Sequence, residues 1–180
     1  HILQMFIIFE NIYKLYFTIF NGKIFQDMNK FVIKYIVVFS LILGVILGMF
    51  APVPYVGIMS LFAALLLAAP LVIIYLIMDS KLDLTTTKDS ILTGALIGFC
   101  TNFSFSAVYA VLMVILAKGF QYTTNYFLTA MITNSPVWLL FVFIIFIGVL
   151  CAVTNAFTGF LTYYVINFIR DIYEKQHPKD

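Results

Sequence analysis

The sequence predicts an all-α integral membrane protein, a four-transmembrane-helix antiparallel bundle with an N-terminal amphipathic interfacial helix. Three observations carry the prediction. First, the 180 residues are 63% hydrophobic and 10% charged, whereas ordinary soluble domains are about 45–50% apolar and about 25% charged. Second, the ten basic and eight acidic residues all fall outside four apolar runs, at residues 35–50, 55–78, 91–117 and 137–169. A span needs about 20 apolar residues at about 1.5 Å rise each. Each run meets that length, the first when its flank from Phe31 is included. Third, nine of the ten basic residues fall on one side of the resulting topology, with Lys118 alone on the other.

Residues 1–27 come first and divide by face. Gln4, Glu10, Asn11, Lys14, Thr18 and Asn21 share a narrow stripe of a helical wheel, and Ile, Phe, Leu and Tyr cover most of the rest. That pattern fits an amphipathic helix lying in a membrane interface. A fifth span and a non-native extension ahead of Met28 are the other readings of this segment. Residues 28–169 form the expected four-span domain, with spans at about 31–50, 55–78, 90–117 and 136–162. Residues 163–180 form a cytoplasmic helical extension and tail.

Span one follows Lys30 and Lys34 and stops at Pro52 and Pro54. Each proline lacks an N–H and biases its predecessor away from helix, so spans one and two should form a tight hairpin. Span two contains Pro70, which removes one backbone hydrogen bond and crowds the Leu66 carbonyl; a kink is expected. Neighbouring helices usually satisfy the group freed in this way. Before span three, Thr86 and Asp89 have the spacing of a capping box, with Asp in place of the usual Glu. Between spans three and four, residues 121–135 carry no charge, and a short helix is expected near residues 125–132. Tyr122, Tyr126, Phe127 and Trp138 suit an interfacial aromatic belt. Span four starts at Pro136, a good first-turn residue. Its helical pattern runs on through Arg170/Glu174 and Asp171/Lys175, two i,i+4 pairs fit for an end projecting into water.

Orientation follows from the loops. Lys14, Lys23, Lys30, Lys34, Lys81, Lys88, Arg170, Lys175 and Lys179 lie on the side of the termini. The positive-inside rule then places both termini in the cytoplasm of a multi-pass protein of the inner or plasma membrane.

The same charge pattern limits chemistry. Enzymes and ion-coupled transporters of membranes place ionisable groups at depth, and these spans hold none. No nucleophile–base pair, metal-ligand cluster or phosphate loop is present, so the chain is expected to be no enzyme and to need no cofactor or metal. Cys100 and Cys151 lie within apolar runs and read as small buried hydrophobes. A net charge of +2 gives no reason to expect nucleic acid. Expected partners are membrane lipid, other membrane subunits or further copies of the chain.

Inside the spans, small residues recur at helical spacing. Span one has Ser40, Gly44 and Gly48, and span two has Ser60, Ala64 and Ala68. Span three has Gly94 and Gly98, and span four has Gly148, Ala152 and Gly159. Such stripes let helix backbones approach closely, within the chain or against another subunit. Spans three and four add polar groups: Thr101, Asn102 and Tyr109 on one, Asn155, Thr158 and Thr162 on the other. Counted from the loop ends, Asn102 and Asn155 fall about 24 Å and about 28 Å along their helices, so they are expected to face each other. Two functions fit this pattern. One is a packing, assembly or accessory subunit working through the small-residue faces. The other is a carrier or binding component for a small uncharged or amphipathic solute, with a polar site between spans three and four.

Overall fold

A computed structural model describes residues 30–79, 82, 86–123 and 126–176. The chain forms two compact units, His1–Ile33 and Lys34–Asp180. Of the first unit, the described residues are the opening turn of a helix. The amphipathic segment expected at residues 1–27 and the last four tail residues lie outside the described residues.

Every regular element among the described residues is helical. The order is α1 (Lys30–Phe50), α2 (Val56–Phe62), a π-turn (Ala63–Leu67), α3 (Ala68–Met78), α4 (Thr87–Gly119), α5 (Tyr126–Asn134) and α6 (Val137–Gln176). Four stretches are helical, long and apolar enough to cross a membrane: Phe31–Phe50, Val56–Met78, Thr87–Gly119 and Val137–Gln176. The α1–α2 connection is as tight as its prolines require. The amide of Val56 donates to the Pro54 carbonyl (2.7 Å), and that of Gly57 to Val53 (2.7 Å). Tyr55 turns the corner at φ 63°. A side chain on Gly57 would run into the Ala51 carbonyl.

Helix α4 starts three residues before the expected span because its cap lies earlier. Thr86 is extended, and its hydroxyl accepts from the Asp89 amide (3.2 Å) while donating to the Asp89 carboxylate (2.7 Å). Helix α6 begins beyond Pro136, whose carbonyl accepts from the amides of Leu139 (3.0 Å) and Leu140 (3.3 Å). It continues unbroken for 40 residues, so the expected extension belongs to the same rod as the apolar run.

Burial departs from that of a water-soluble fold in its many exposed large apolar side chains and its buried polar ones. Ser40, Thr93, Thr101 and Asn155 are fully buried, while Phe146, Phe157 and Val153 are more than 60% exposed. In soluble proteins large aliphatic and aromatic side chains fill the interior and Asn rarely does. Here small and polar side chains share the interior with Ile36, Ile73, Leu76, Leu96, Ile97 and Met113, and every described charged side chain is exposed or half-buried.

The main seam joins α4 to α6. Ser90 meets Gly159, Gly94 meets Asn155, Gly98 meets Cys151, and Gly148 lies against Phe99 and Asn102. Residue numbers rise along one helix as they fall along the other. A methyl group on Gly94 would strike the Asn155 carbonyl, and one on Gly98 would lie 2.5 Å from the Asn155 Cβ. On the other side of α4, Gly44 faces the Thr101 carbonyl, and a methyl group on Gly48 would lie 2.8 Å from the Phe105 carbonyl.

Gly94→Val should therefore overpack the seam, at a cost of about 1–3 kcal/mol. A Cβ at Gly119 would meet nothing within 4 Å, so Gly119→Ala should be neutral or slightly stabilising. Thermal unfolding of both variants in mild detergent separates these outcomes.

Candidate functional site

Most of the polar side chains inside the described helices bond to backbone carbonyls rather than to one another. The Ser104 hydroxyl donates to the Leu41 carbonyl of α1 (2.8 Å), and the Ser90 hydroxyl to the Gly159 carbonyl of α6 (2.7 Å). Ser60 of α2 donates to the Leu47 carbonyl of α1. A hydroxyl on a short stem reaches a neighbouring backbone only when two helices pack closely, which the small residues beside it permit.

The densest arrangement surrounds Asn155 at the break in the second apolar stretch. Pro70 has no N–H, and its ring would press on the Leu66 carbonyl in a regular helix. The chain responds one turn earlier by widening into the π-turn Ala63–Leu67, and Leu67 departs from ideal helix at φ −101°, ψ −9°. Asn155, fully buried on α6, fills the gap. Its Oδ1 accepts from the Ala69 amide (2.8 Å). Its Nδ2 donates to the carbonyls of Leu65 (2.9 Å), Ala64 (3.2 Å) and Cys151 (3.0 Å). In an unbroken α-helix the Ala69 amide would bond the Leu65 carbonyl directly. Here a side-chain amide is inserted into that one link and answers both of its ends. The Thr154 hydroxyl has three carbonyls within reach of its single proton, Leu65 (3.1 Å) and, on its own helix, Leu150 (3.2 Å) and Cys151 (3.1 Å).

The expected Asn102–Asn155 contact is not formed. Asn155 is level with Gly94–Gly98 and Asn102 with Gly148, a stagger of about six residues or about 9 Å. Counting depth from the loop ends assumed that both helices start at the same level, but the glycine contacts set the register. Asn102 and Thr101 are buried, and Asn102 Nδ2 and Thr101 Oγ1 have no hydrogen-bond partner. Tyr109 is half-buried and stacks on Phe105, with ring centroids 6.2 Å apart. Thr158 and Thr162 bond along their own helix, to the carbonyls of Asn155 (3.2 Å) and Thr158 (2.7 Å).

The small-residue faces point into the chain: Gly44 and Gly48 toward α4, Gly94 and Gly98 toward α6, Gly148 and Gly159 toward α4. Between Gly148 and Asn155 on α6 the buried position is Cys151, and Ala152 sits half-buried beside it. The expected Gly148–Ala152–Asn155–Gly159 stripe thus shifts by one residue at its second position. The periodicity follows the helix, and i+3 brings Cys151 onto the seam. Among the described residues no group of three or more His, Cys, Asp or Glu comes together.

No protein-family model, curated protein or solved structure matches the chain. What defines its class is physical: four long apolar helices with many large apolar side chains exposed suggest a multi-pass membrane protein.

Asn155→Ala should leave the Ala69 amide and one or more carbonyls unpaired in an apolar interior, at a cost of about 1–3 kcal/mol. Thr154→Val should cost nearer ~0.6 kcal/mol, the usual worth of a polar contact between membrane helices, because Asn155 still serves the same carbonyl. Unfolding in mild detergent should rank the two in that order.

Proposed function

We propose that the chain is a membrane-embedded binding or carrier component for a small, uncharged, hydrogen-bonding solute. In this reading it is an antiparallel bundle of four spans in an inner or plasma membrane, with both termini cytoplasmic. The observation that carries the functional part is the pair of unpartnered buried polar atoms, Asn102 Nδ2 and Thr101 Oγ1. They sit midway along α4, where the other interior Ser and Asn side chains named above are satisfied. An unpaired buried donor costs about 1–3 kcal/mol, and a solute offering an acceptor would recover that energy. An ion would find no charged group nearby to compensate it, since the described charged residues keep to the helix ends and to the exposed final turns of α6.

A packing or accessory role through small-residue faces has less support, because those faces are already occupied by helices of the same chain. One observation still favours an accessory role. Phe168, Ile169, Ile172 and Tyr173 stay exposed along the charged final turns of α6, where a partner subunit could cover them.

Two experiments test these proposals. For topology, Lys118→Cys and Lys175→Cys should react with a membrane-impermeant thiol reagent from opposite faces of sealed vesicles. Labelling from the same face would refute the four-span antiparallel arrangement. For function, protein purified in mild detergent should carry a small molecule detectable by mass analysis. Asn102→Leu should lose that molecule while keeping or gaining thermal stability. A variant that retains the molecule, or wild type carrying none, overturns the solute reading; a co-purifying membrane subunit would favour the accessory one.

A further inference from the structure

The seam between α4 and α6 is not uniform along its length. A methyl group on Gly94 or Gly98 would strike the α6 backbone, and one on Gly159 would lie 2.9 Å from the Ser90 carbonyl. At Gly148 the neighbours change. A methyl group there would meet side chains first, the ring edge of Phe99 at 3.1 and 3.3 Å and then Asn102 Nδ2 at 3.6 Å. A phenyl ring therefore stands in the seam at the level of Asn102. The ring is half-buried, so its inner edge lies on Gly148 while part of it reaches the outer surface.

We infer that Phe99 is the lid of the Asn102 site, and that the ligand is an apolar molecule with a carbonyl oxygen, entering sideways between α4 and α6. The inference rests on the solute reading and adds to it a ligand class and a route.

The ligand class follows from what the site offers. Asn102 Nδ2 is a buried donor without a partner, so the ligand has to bring an acceptor. A carboxylate or phosphate would bring a charge that no described side chain midway along α4 or α6 offsets, at a high cost in an apolar surrounding. A carbonyl accepts without that charge. The wall beside the amide is aromatic: Phe99 stacks on Phe103, with centroids 6.5 Å apart and planes 13° apart. A flat apolar body packs well on such a surface.

The route follows from the lid. Asn102 lies midway along α4, a height that meets acyl chains rather than water in a bilayer, so an apolar ligand arrives dissolved in lipid. Swinging one ring aside is a side-chain motion and leaves the helices in place. Gly148 has no side chain to obstruct it. A glycine serving close packing alone would meet backbone, as Gly94 and Gly98 do, whereas Gly148 meets the lid and the donor.

The test uses the whole protein in lipid nanodiscs, with acetophenone isotope-labelled at its carbonyl as the probe. The infrared band of that carbonyl moves to lower frequency when it accepts a hydrogen bond. Subtracting the spectrum recorded with Asn102→Leu removes the probe dissolved in lipid. Wild type should leave a saturable lower-frequency band, with Asn102→Leu binding about tenfold or more weakly. Phe99→Ala should strengthen the band, because small aromatic molecules occupy apolar space of ring size. Gly148→Ala sets a methyl group against both the ring and the amide and should weaken it. A band no stronger in Phe99→Ala, or undiminished in Gly148→Ala, overturns the lid and leaves the solute reading standing. A band in Phe99→Ala alone supports the lid. No band in either wild type or Phe99→Ala overturns the carbonyl ligand, while mass analysis of the purified protein tests the solute reading separately. Should Phe99→Ala fail to fold, Phe99→Leu replaces it with the same expected outcomes.

Discussion

A backbone amide or carbonyl without a partner is a costly defect in an apolar surrounding, and this chain carries a proline where it would create one. Everything around Asn155 follows from that constraint. Beside the π-turn the carboxamide of Asn155 bridges the Ala69 amide and the Leu65 carbonyl, and Thr154 supports it from the same turn of α6. An amide suits this task better than a hydroxyl because it presents an acceptor and donors on one rigid plane, as the peptide group does. Serine or threonine at position 155 would reach one end of the broken link but not both.

Serving the break needs proximity, and proximity comes from residues with little side chain. Gly94 and Gly98 let the α6 backbone approach α4 closely enough for the Asn155 Cβ to sit against Gly98. Ser90, Ser104 and Ser60 then bond to carbonyls of facing helices. Where apolar burial gives no drive for helices to associate, dispersion between close backbones and short polar stitches takes its place. The interior accordingly mixes Ser, Thr, Asn, Ala and Gly at the close contacts with Ile36, Ile73, Leu76, Leu96, Ile97 and Met113, while many other large aliphatic and aromatic residues face outward. Thr101 and Asn102 break the pattern, with the same residue types but no partner.

Helices and their inward faces were readable from the sequence because both depend on local periodicity. Ser40, Gly44 and Gly48, and likewise Ser60, Ala64 and Ala68, are buried as their four-residue spacing requires. The Pro52–Pro54 hairpin and the Thr86 cap were readable for the same reason, since each is set by residues only a few positions apart. The register between helices was not readable. Distance from a loop end places Asn102 beside Asn155, whereas the fit of Gly94 and Gly98 against the α6 backbone places Asn155 two turns away from it. The role of Asn155 joins positions 86 residues apart in sequence. One signal for it does exist in the sequence: Pro70 inside an apolar run frees backbone groups, and a carboxamide in a small-residue stripe is the side chain best able to answer them.

The helices differ in length: α1 has 21 residues, α4 has 33 and α6 has 40. At about 1.5 Å per residue these are about 31, 50 and 60 Å of rod, and the glycine seam joins the first half of α4 to the middle turns of α6. In a bilayer whose hydrocarbon layer is about 30 Å thick, α1 matches the slab upright, whereas the apolar part of α6 exceeds it. The excess has to be taken up by tilt or by lipid stretching on one flank of the protein. The molecule would then meet lipid as a wedge of uneven thickness, with short acyl chains favoured beside α1 and long ones beside α6.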